Sequence, residues 1–246
     1  MKVGILVTGV LRNYQRVLTN FMWPEEVEPE YHLITWDKTQ TSFMKDDVLV
    51  PAWRNIEEAA SLLPFESITI GNIKLADSGK HPWNCQNPRR MLELWTLALN
   101  VARNSDAEFF VLTRPDVALI PNELLLFNMH PQEGINISAH QYNKPFLWAQ
   151  DSVFSFSRKA IDEVGKLIER MRASIATITD KDGPWDIHVR MGEALNHVRV
   201  PITVKIDHAF KYFPVRRPTP SGKFTEESLR LEKAYSEWFF QNEVGK

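Results

Sequence analysis

Short apolar runs of strand length alternate along this chain with longer stretches whose apolar residues recur every three or four positions, and this alternation is its strongest organising signal. Lys2 to Thr8 is a near-continuous apolar run, the pattern of a buried strand, and Tyr31 to Trp36 repeats it. Asn13 to Phe21 between them has a helical period, so the chain opens as a βαβ unit. Asn55 to Leu63 reads as a helix, Ser67 to Ile70 as a strand, and Pro88 to Arg103 as the clearest helix, with Pro88 suited to its first turn. Glu108 to Thr113 is the next strand. It stops at Arg114-Pro115-Asp116, because proline gives no amide hydrogen to a ladder and restricts the residue before it. Ile135 to Ala139 and Ser152 to Phe156 follow as strands, Arg158 to Ala173 and Trp185 to His197 as helices, and Val200 to Ile206 as a strand. Thr225 to Phe240 closes the chain as a helix, with Ser221 or Thr225 near its cap.

Strands alternating with helices predict an α/β fold: a mostly parallel central sheet with helices on both faces, binding ligands beyond the carboxyl ends of its strands. Residues 1–246 read as one domain, with a basic segment and helix over 205–246 packing on it. Asp37 to Ala52 and Lys74 to Asn87 lack a clear period and read as long loops over a site.

Composition narrows the function classes. A net charge of -2 and a pI near 6.4 give no global pull toward nucleic acid, although a local basic patch is still allowed. The lone Cys85 excludes an intramolecular disulfide and a thiolate zinc site, which points to a reducing, cytoplasmic setting. The apolar run from Val3 to Leu11 lacks the flanks of a signal peptide, and no stretch reaches the roughly 18 apolar residues of a membrane span. The heavy load of Trp and Phe suits either a large core or a site that stacks rings.

The polar residues just after strands carry the candidate chemistry. Thr8-Gly9-Val10-Leu11-Arg12 offers close backbone approach at Gly9 and a planar fork at Arg12, a nucleotide cradle or else a tight turn with a solvated arginine. It is neither a Gly-x-Gly-x-x-Gly fingerprint nor a Walker loop. Trp36 and Asp37 end the second strand, where a ring could flank a base and a carboxylate could bond a ribose; the structural reading, which each residue taken singly favours, puts Trp36 in the core and Asp37 at the start of a turn. Arg114 and Asp116 follow the central strand. Asp116 is placed to hold a divalent cation, since Mg2+ commonly takes few protein carboxylates; the competing reading pairs it with Arg114 or makes it a helix cap. Asp151 stands before an apolar run and is the general-base candidate, the alternative being a cap. Asp186 reads as a helix-start acid. Lys205, His208, Lys211, Arg216 and Arg217 form a basic cluster able to embrace a diphosphate, with His208 either a metal ligand or a structural histidine.

In their order along the chain, these motifs resemble a family of glycosyltransferases from bacteria, phages and large viruses related to the lipopolysaccharide-synthesis proteins called WavE. The likeness rests on Gly9-Val10-Leu11-Arg12, His32 to Trp36, Arg114-Pro115-Asp116, Asp151 with Val153 to Arg158, and Gly183-Pro184-Trp185-Asp186. It implies a GT-A fold of the Rossmann-like nucleotide-diphospho-sugar transferase type, in which a metal such as Mn2+ or Mg2+ bridges the donor's diphosphate. It also implies that Asp116 stands for the last acid of the Asp-x-Asp motif and that His208 resembles the C-terminal metal-binding histidine. Two departures stand out: Arg114 replaces the first acid and could itself neutralise phosphate, and Asp186 stands where relatives often carry glutamate.

The expectation is thus a glycosyltransferase using a nucleoside-diphosphate sugar, with Asp151 as base, inversion as the simpler stereochemistry, and Thr8, Gly9, Arg12, Trp36, Asp37, Arg114, Asp116, Lys211 and Arg216 around the donor. The acceptor is a hydroxyl on a glycan, a lipid-linked saccharide or a hydroxymethylated base of phage DNA; Phe210, Tyr212 and Phe213 among basic residues favour the last and the acidic net charge opposes it. A sugar nucleotidyltransferase, or a non-catalytic nucleotide-sugar or glycan-binding module, is the alternative.

Overall fold

A computed structural model of the chain describes residues 1–11, 14–19, 23, 27–40, 49–76, 83–115, 117–119, 134–142, 146–176, 187–206 and 212–214. Its described strands are β1 (Lys2–Thr8), β2 (Glu28–Trp36), β3 (Lys38–Gln40), β4 (Leu49–Pro51), β5 (Phe65–Gly71), β6 (Phe109–Thr113), β7 (Val117–Leu119), β8 (Ile135–Tyr142), β9 (Phe146–Ser157), β10 (Ile202–Ile206) and β11 (Tyr212–Pro214). The α-helices are α1 (Tyr14–Leu18), α2 (Trp53–Leu62), α3 (Ile73–Ala76), α4 (Trp83–Asn104), α5 (Ile161–Ala176, led in by a 3-10 turn) and α6 (Ile187–Leu195).

Seven strands form one sheet in the order β5-β2-β1-β6-β9-β8-β10. Parallel pairing joins β5, β2, β1 and β6, and joins β8 to β10; only β9 runs against its neighbours, so the sheet is mostly parallel as predicted. Its two faces carry separate cores, because successive side chains on a strand point to opposite sides. Leu6, Ile34, Phe110, Leu112 and Phe154 pack under α4, α5 and α6, while Val3, Ile5, Val7, Leu33, Phe109 and Val111 pack under α1 and α2. Helices therefore cover both faces. Phe110 stacks on Phe156 at 5.4 Å, and Gly4 makes room for it, since a Cβ there would lie 2.6 Å from the Phe110 ring. Each such fully buried ring or branched chain contributes roughly 1.5–3 kcal/mol.

Local chemistry explains the helices. In α5 the buried residues Ile161, Val164, Leu167, Ile168, Met171 and Ile175 fall at helical spacing, and Asp162 and Glu163 sit in the first turn, where carboxylates complement the helix dipole.

The structure revises several boundaries. α1 is five residues long, shorter than the Asn13 to Phe21 stretch, of which residues 13, 20 and 21 lie outside the described set. α4 begins at Trp83 rather than Pro88, so residues 83–87 of the expected loop over 74–87 are helical and 74–76 belong to α3, while 77–82 lie outside the described residues. Pro88 is the sixth helical residue and gives up the backbone hydrogen bond an amide there would donate one turn back. The expected loop over 37–52 contains the antiparallel pair β3 and β4. β9 starts six residues before Ser152, which places Asp151 within a strand and removes its reading as a cap. β7 follows Arg114-Pro115-Asp116 and pairs with β11 in the basic segment. The helix expected over Thr225 to Phe240 and the acid Asp186 lie outside the described residues.

Candidate active site at the carboxyl edge of the sheet

The chain builds β1, β2 and β5 outward in one direction, then returns through α4 to lay β6 on the other side of β1. The carboxyl ends of β1 and β6 therefore flank the point where strand order reverses, and open α/β sheets bind ligands in the crevice at that point. Thr8 and Gly9 leave β1 there, and Thr113 and Arg114 leave β6.

These residues are held by specific bonds. The Thr8 hydroxyl donates to the Thr113 carbonyl at 3.2 Å, tying the two strand ends together. Gly9 has φ 145°, a conformation that favours glycine, and an added Cβ would lie 3.0 Å from Cδ of Pro115. Its amide donates to the Ile34 carbonyl at 3.1 Å, and its carbonyl accepts the Thr35 hydroxyl at 2.8 Å. Gly9 thus serves the cradle by letting the β6 exit loop approach, while both its backbone groups bond β2. Arg114 is half-buried and already engaged in a contact. The Thr113 hydroxyl is fully buried and has no hydrogen-bond partner among the described residues.

The end of β2 is more structural than expected. Trp36 is buried in the core, with Gly71 leaving space for its ring. Asp37 fastens three elements: its amide donates to the Gly71 carbonyl, its carbonyl accepts the Ala52 amide at 3.0 Å, and its carboxylate accepts the Ile73 amide at 2.9 Å. The turn reading of Asp37 describes what its Oδ1 does.

Asp151 enters from β9. Val153 is the last β9 residue opposite β6, facing Thr113, so the backbone of Asp151 lies just past the end of β6. Between the pairs Ile137–Phe154 and Ala139–Ala149, two steps along β8 match five along β9. The extra residues form a bulge that contains Asp151, and such bulges re-aim residues next to active sites. The structure therefore brings the ends of β1 and β6 and the Asp151 backbone to one edge. Arg12, Asp116, His208, Lys211 and Arg216 lie outside the described residues. Among the described residues there is no group of three or more His, Cys, Asp or Glu suited to a metal ion, and no helix long and apolar enough to cross a membrane.

A second polar concavity, about 400 Å³, lies at the opposite, amino edge and includes Lys2, Glu28, Glu30, Glu66, Ser105 and Asp106. Lys2, Glu30, Ser105 and Asp106 are bonded within it or to the adjoining His32. Lys2 pairs with Glu30 at 2.6 Å and with Asp106, and His32, 4% exposed, bonds Glu30 at 2.7 Å and Ser67 at 2.8 Å. Burial presses the Glu30 pKa upward, but hydrogen bonds from Lys2, Ser105 and His32 outweigh it and hold the carboxyl below its ordinary value. Burial lowers the His32 pKa against the pull of Glu30. The sequence signal for this cluster was the every-second-residue spacing of Glu28, Glu30 and His32 ahead of the apolar part of β2. Thr113 was likewise missed, its only mark being a hydroxyl that closes an apolar strand.

The strand order, the single reversed strand and the helix layers on both faces define an α/β fold built on a mostly parallel central sheet. Among solved structures, the chain is similar to the crystal structure of 4-diphosphocytidyl-2C-methyl-D-erythritol synthase from Anaerococcus prevotii DSM 20548, at 11% identity over 96% of this chain and 98% of that one, with a TM-score of 0.47. No family model and no curated protein matches the sequence.

Proposed function

We propose that the chain is a nucleotide-dependent transferase whose phosphates lie in the crevice between β1 and β6, and that within this class it moves a sugar from a nucleoside diphosphate to a hydroxyl acceptor. The observation that carries the reading is the meeting of the β1 and β6 ends at the strand-order reversal, with the Asp151 bulge beside them. In this account Asp151 takes the acceptor hydroxyl's proton as that oxygen attacks the anomeric carbon, and the bond to the diphosphate breaks. Arg114, with Arg12, Lys211 and Arg216, neutralises the departing diphosphate. Asp116 and His208 are the residues that would hold a divalent cation, which supplies further charge neutralisation when bound. The order of these motifs, which resembles that of the WavE-related family, is a further support for the reading.

Sugar nucleotidyl transfer is the second reading, because Thr8, Gly9, Thr113 and Arg114 would meet phosphate in that chemistry as well. Against it, the loop after β1 places one glycine, Gly9, ahead of Arg12 rather than a glycine-rich basic loop. Incubation with a panel of nucleotide-sugars, with nucleoside triphosphates and sugar phosphates in parallel, separates the two by product. Nucleoside diphosphate release supports glycosyl transfer and pyrophosphate release supports nucleotidyl transfer. Binding with neither product marks a non-catalytic nucleotide-sugar module.

A further inference from the structure

Helix α4 extends past the end of the sheet. Trp95 packs edge-to-face on Phe154 with ring centroids 5.1 Å apart, and Phe154 pairs with Leu112, the residue before the last of β6. A Cβ on Gly71, the last residue of β5, would meet Leu97 at 3.2 Å. Both contacts mark the middle of α4 as level with the carboxyl edge. The helix follows β5, which ends at that edge, and leads to β6, which begins at the other, so its earlier residues lie further out. At 1.5 Å per residue, Arg90 and Arg89 stand roughly 7–9 Å beyond Trp95 along the axis.

That displacement places two adjacent arginines over the space outside the strand ends. Both are half-buried and engaged in contacts. Arg90 precedes the buried Leu94 by one turn and Arg89 precedes the buried Leu92 by three residues, which puts both on the flanks of the core-facing stripe. Glu93, the carboxylate one turn beyond Arg89, already bonds Arg172 at 3.1 Å. Arg103, at the other end of the same helix, pairs instead with Asp162 at the amino edge.

We propose that Arg89 and Arg90 form the α4 side of the diphosphate site, binding phosphate oxygens opposite the β6 exit that carries Arg114. Planar guanidinium forks suit bidentate phosphate contact, and helix placement keeps them ordered before the ligand arrives. This inference rests on the transferase reading and adds residues that the motifs after the strands do not include.

Calorimetry on the full chain with UDP, GDP, CDP and ADP, and with the matching nucleosides, tests it. For the diphosphate that binds the parent, the Arg89→Ala/Arg90→Ala chain should bind on the order of 10- to 100-fold more weakly, as expected when charge-assisted bonds are lost. Nucleoside affinity should stay the same. The Arg89→Lys/Arg90→Lys chain, which keeps the apolar stems and the charge, should recover part of the loss, and Arg103→Ala should match the parent. Diphosphate affinity within about two-fold of the parent in a double alanine chain of unchanged circular dichroism would overturn the arginine assignment alone. A parent that binds none of the four diphosphates would overturn the transferase reading and this proposal together.

Discussion

The two edges of the central sheet are built from similar materials to opposite ends. At the amino edge, Lys2, Glu30, Asp106, His32 and Ser67 satisfy one another and staple β1, β2, β5 and the β6 entry loop. At the carboxyl edge, bonds run between strand ends while Gly9 holds a positive φ, the Thr113 hydroxyl stays unmatched among the described residues, and β9 bulges. A network whose charges are mutually paired serves stability, whereas under the proposed function a glycine-dependent turn and a bulge at a strand-order reversal make room for a ligand. An unmatched buried hydroxyl does not separate the edges, since Ser157 at the amino edge lacks a partner among the described residues just as Thr113 does.

The sharpest way to break the comparison is Asp151→Asn. Turnover at saturating donor should fall by about 10²- to 10⁴-fold, with little change in donor affinity or melting temperature, as befits loss of a general base. Full turnover in steady-state assays would remove Asp151 from the mechanism and the bulge from the site. Next, Gly9→Ala forces a Cβ toward Pro115 at positive φ, and should lower stability by about 1–3 kcal/mol in denaturant titration while weakening donor binding. A smaller effect belongs to the amino edge. His32 is held neutral by burial, so the unfolded chain takes a proton near pH 6.5 before the folded chain does. Stability should therefore be full above that pH and decline below it, and His32→Gln should flatten the decline between pH 7.5 and 5.5 without altering turnover at saturating donor. An unchanged slope would mean that another group titrates. The smallest effect is expected of Thr113→Val: within about 0.5 kcal/mol of the parent or slightly stabilising, since no bonded hydroxyl is lost among the described residues. A loss of several times that would reveal a partner for the hydroxyl.

Much of the fold was legible because buried parallel strands write near-continuous apolar runs, and β1, β2 and β6 announced themselves in that way. The helix of Arg158 to Ala173 was equally plain, since its apolar stripe keeps a helical period through the observed α5. The start of α4 was hidden because Pro88 imitates a first-turn proline, although it sits at the sixth helical position and costs the helix one backbone hydrogen bond. β3 and β4 are three residues each, too short to show a period. At the candidate site, the residues after β1, β2 and β6 fall at the carboxyl edge as expected of strand ends, but residue type did not disclose their bonding. Nothing in Trp36-Asp37 reveals that the carboxylate caps α3, because that bond depends on where Ile73 arrives from. The β9 bulge depends on cross-strand register and leaves no local mark.

The central claim is that phosphates occupy the carboxyl-edge crevice and not the amino-edge cleft. Hydrogen exchange read by mass spectrometry, with and without the nucleoside diphosphate or nucleotide-sugar that binds the chain, tests it directly. The account predicts slowed exchange over 5–11 and 109–115 and unchanged exchange over 28–32 and 103–108. Protection confined to the amino-edge segments would contradict it.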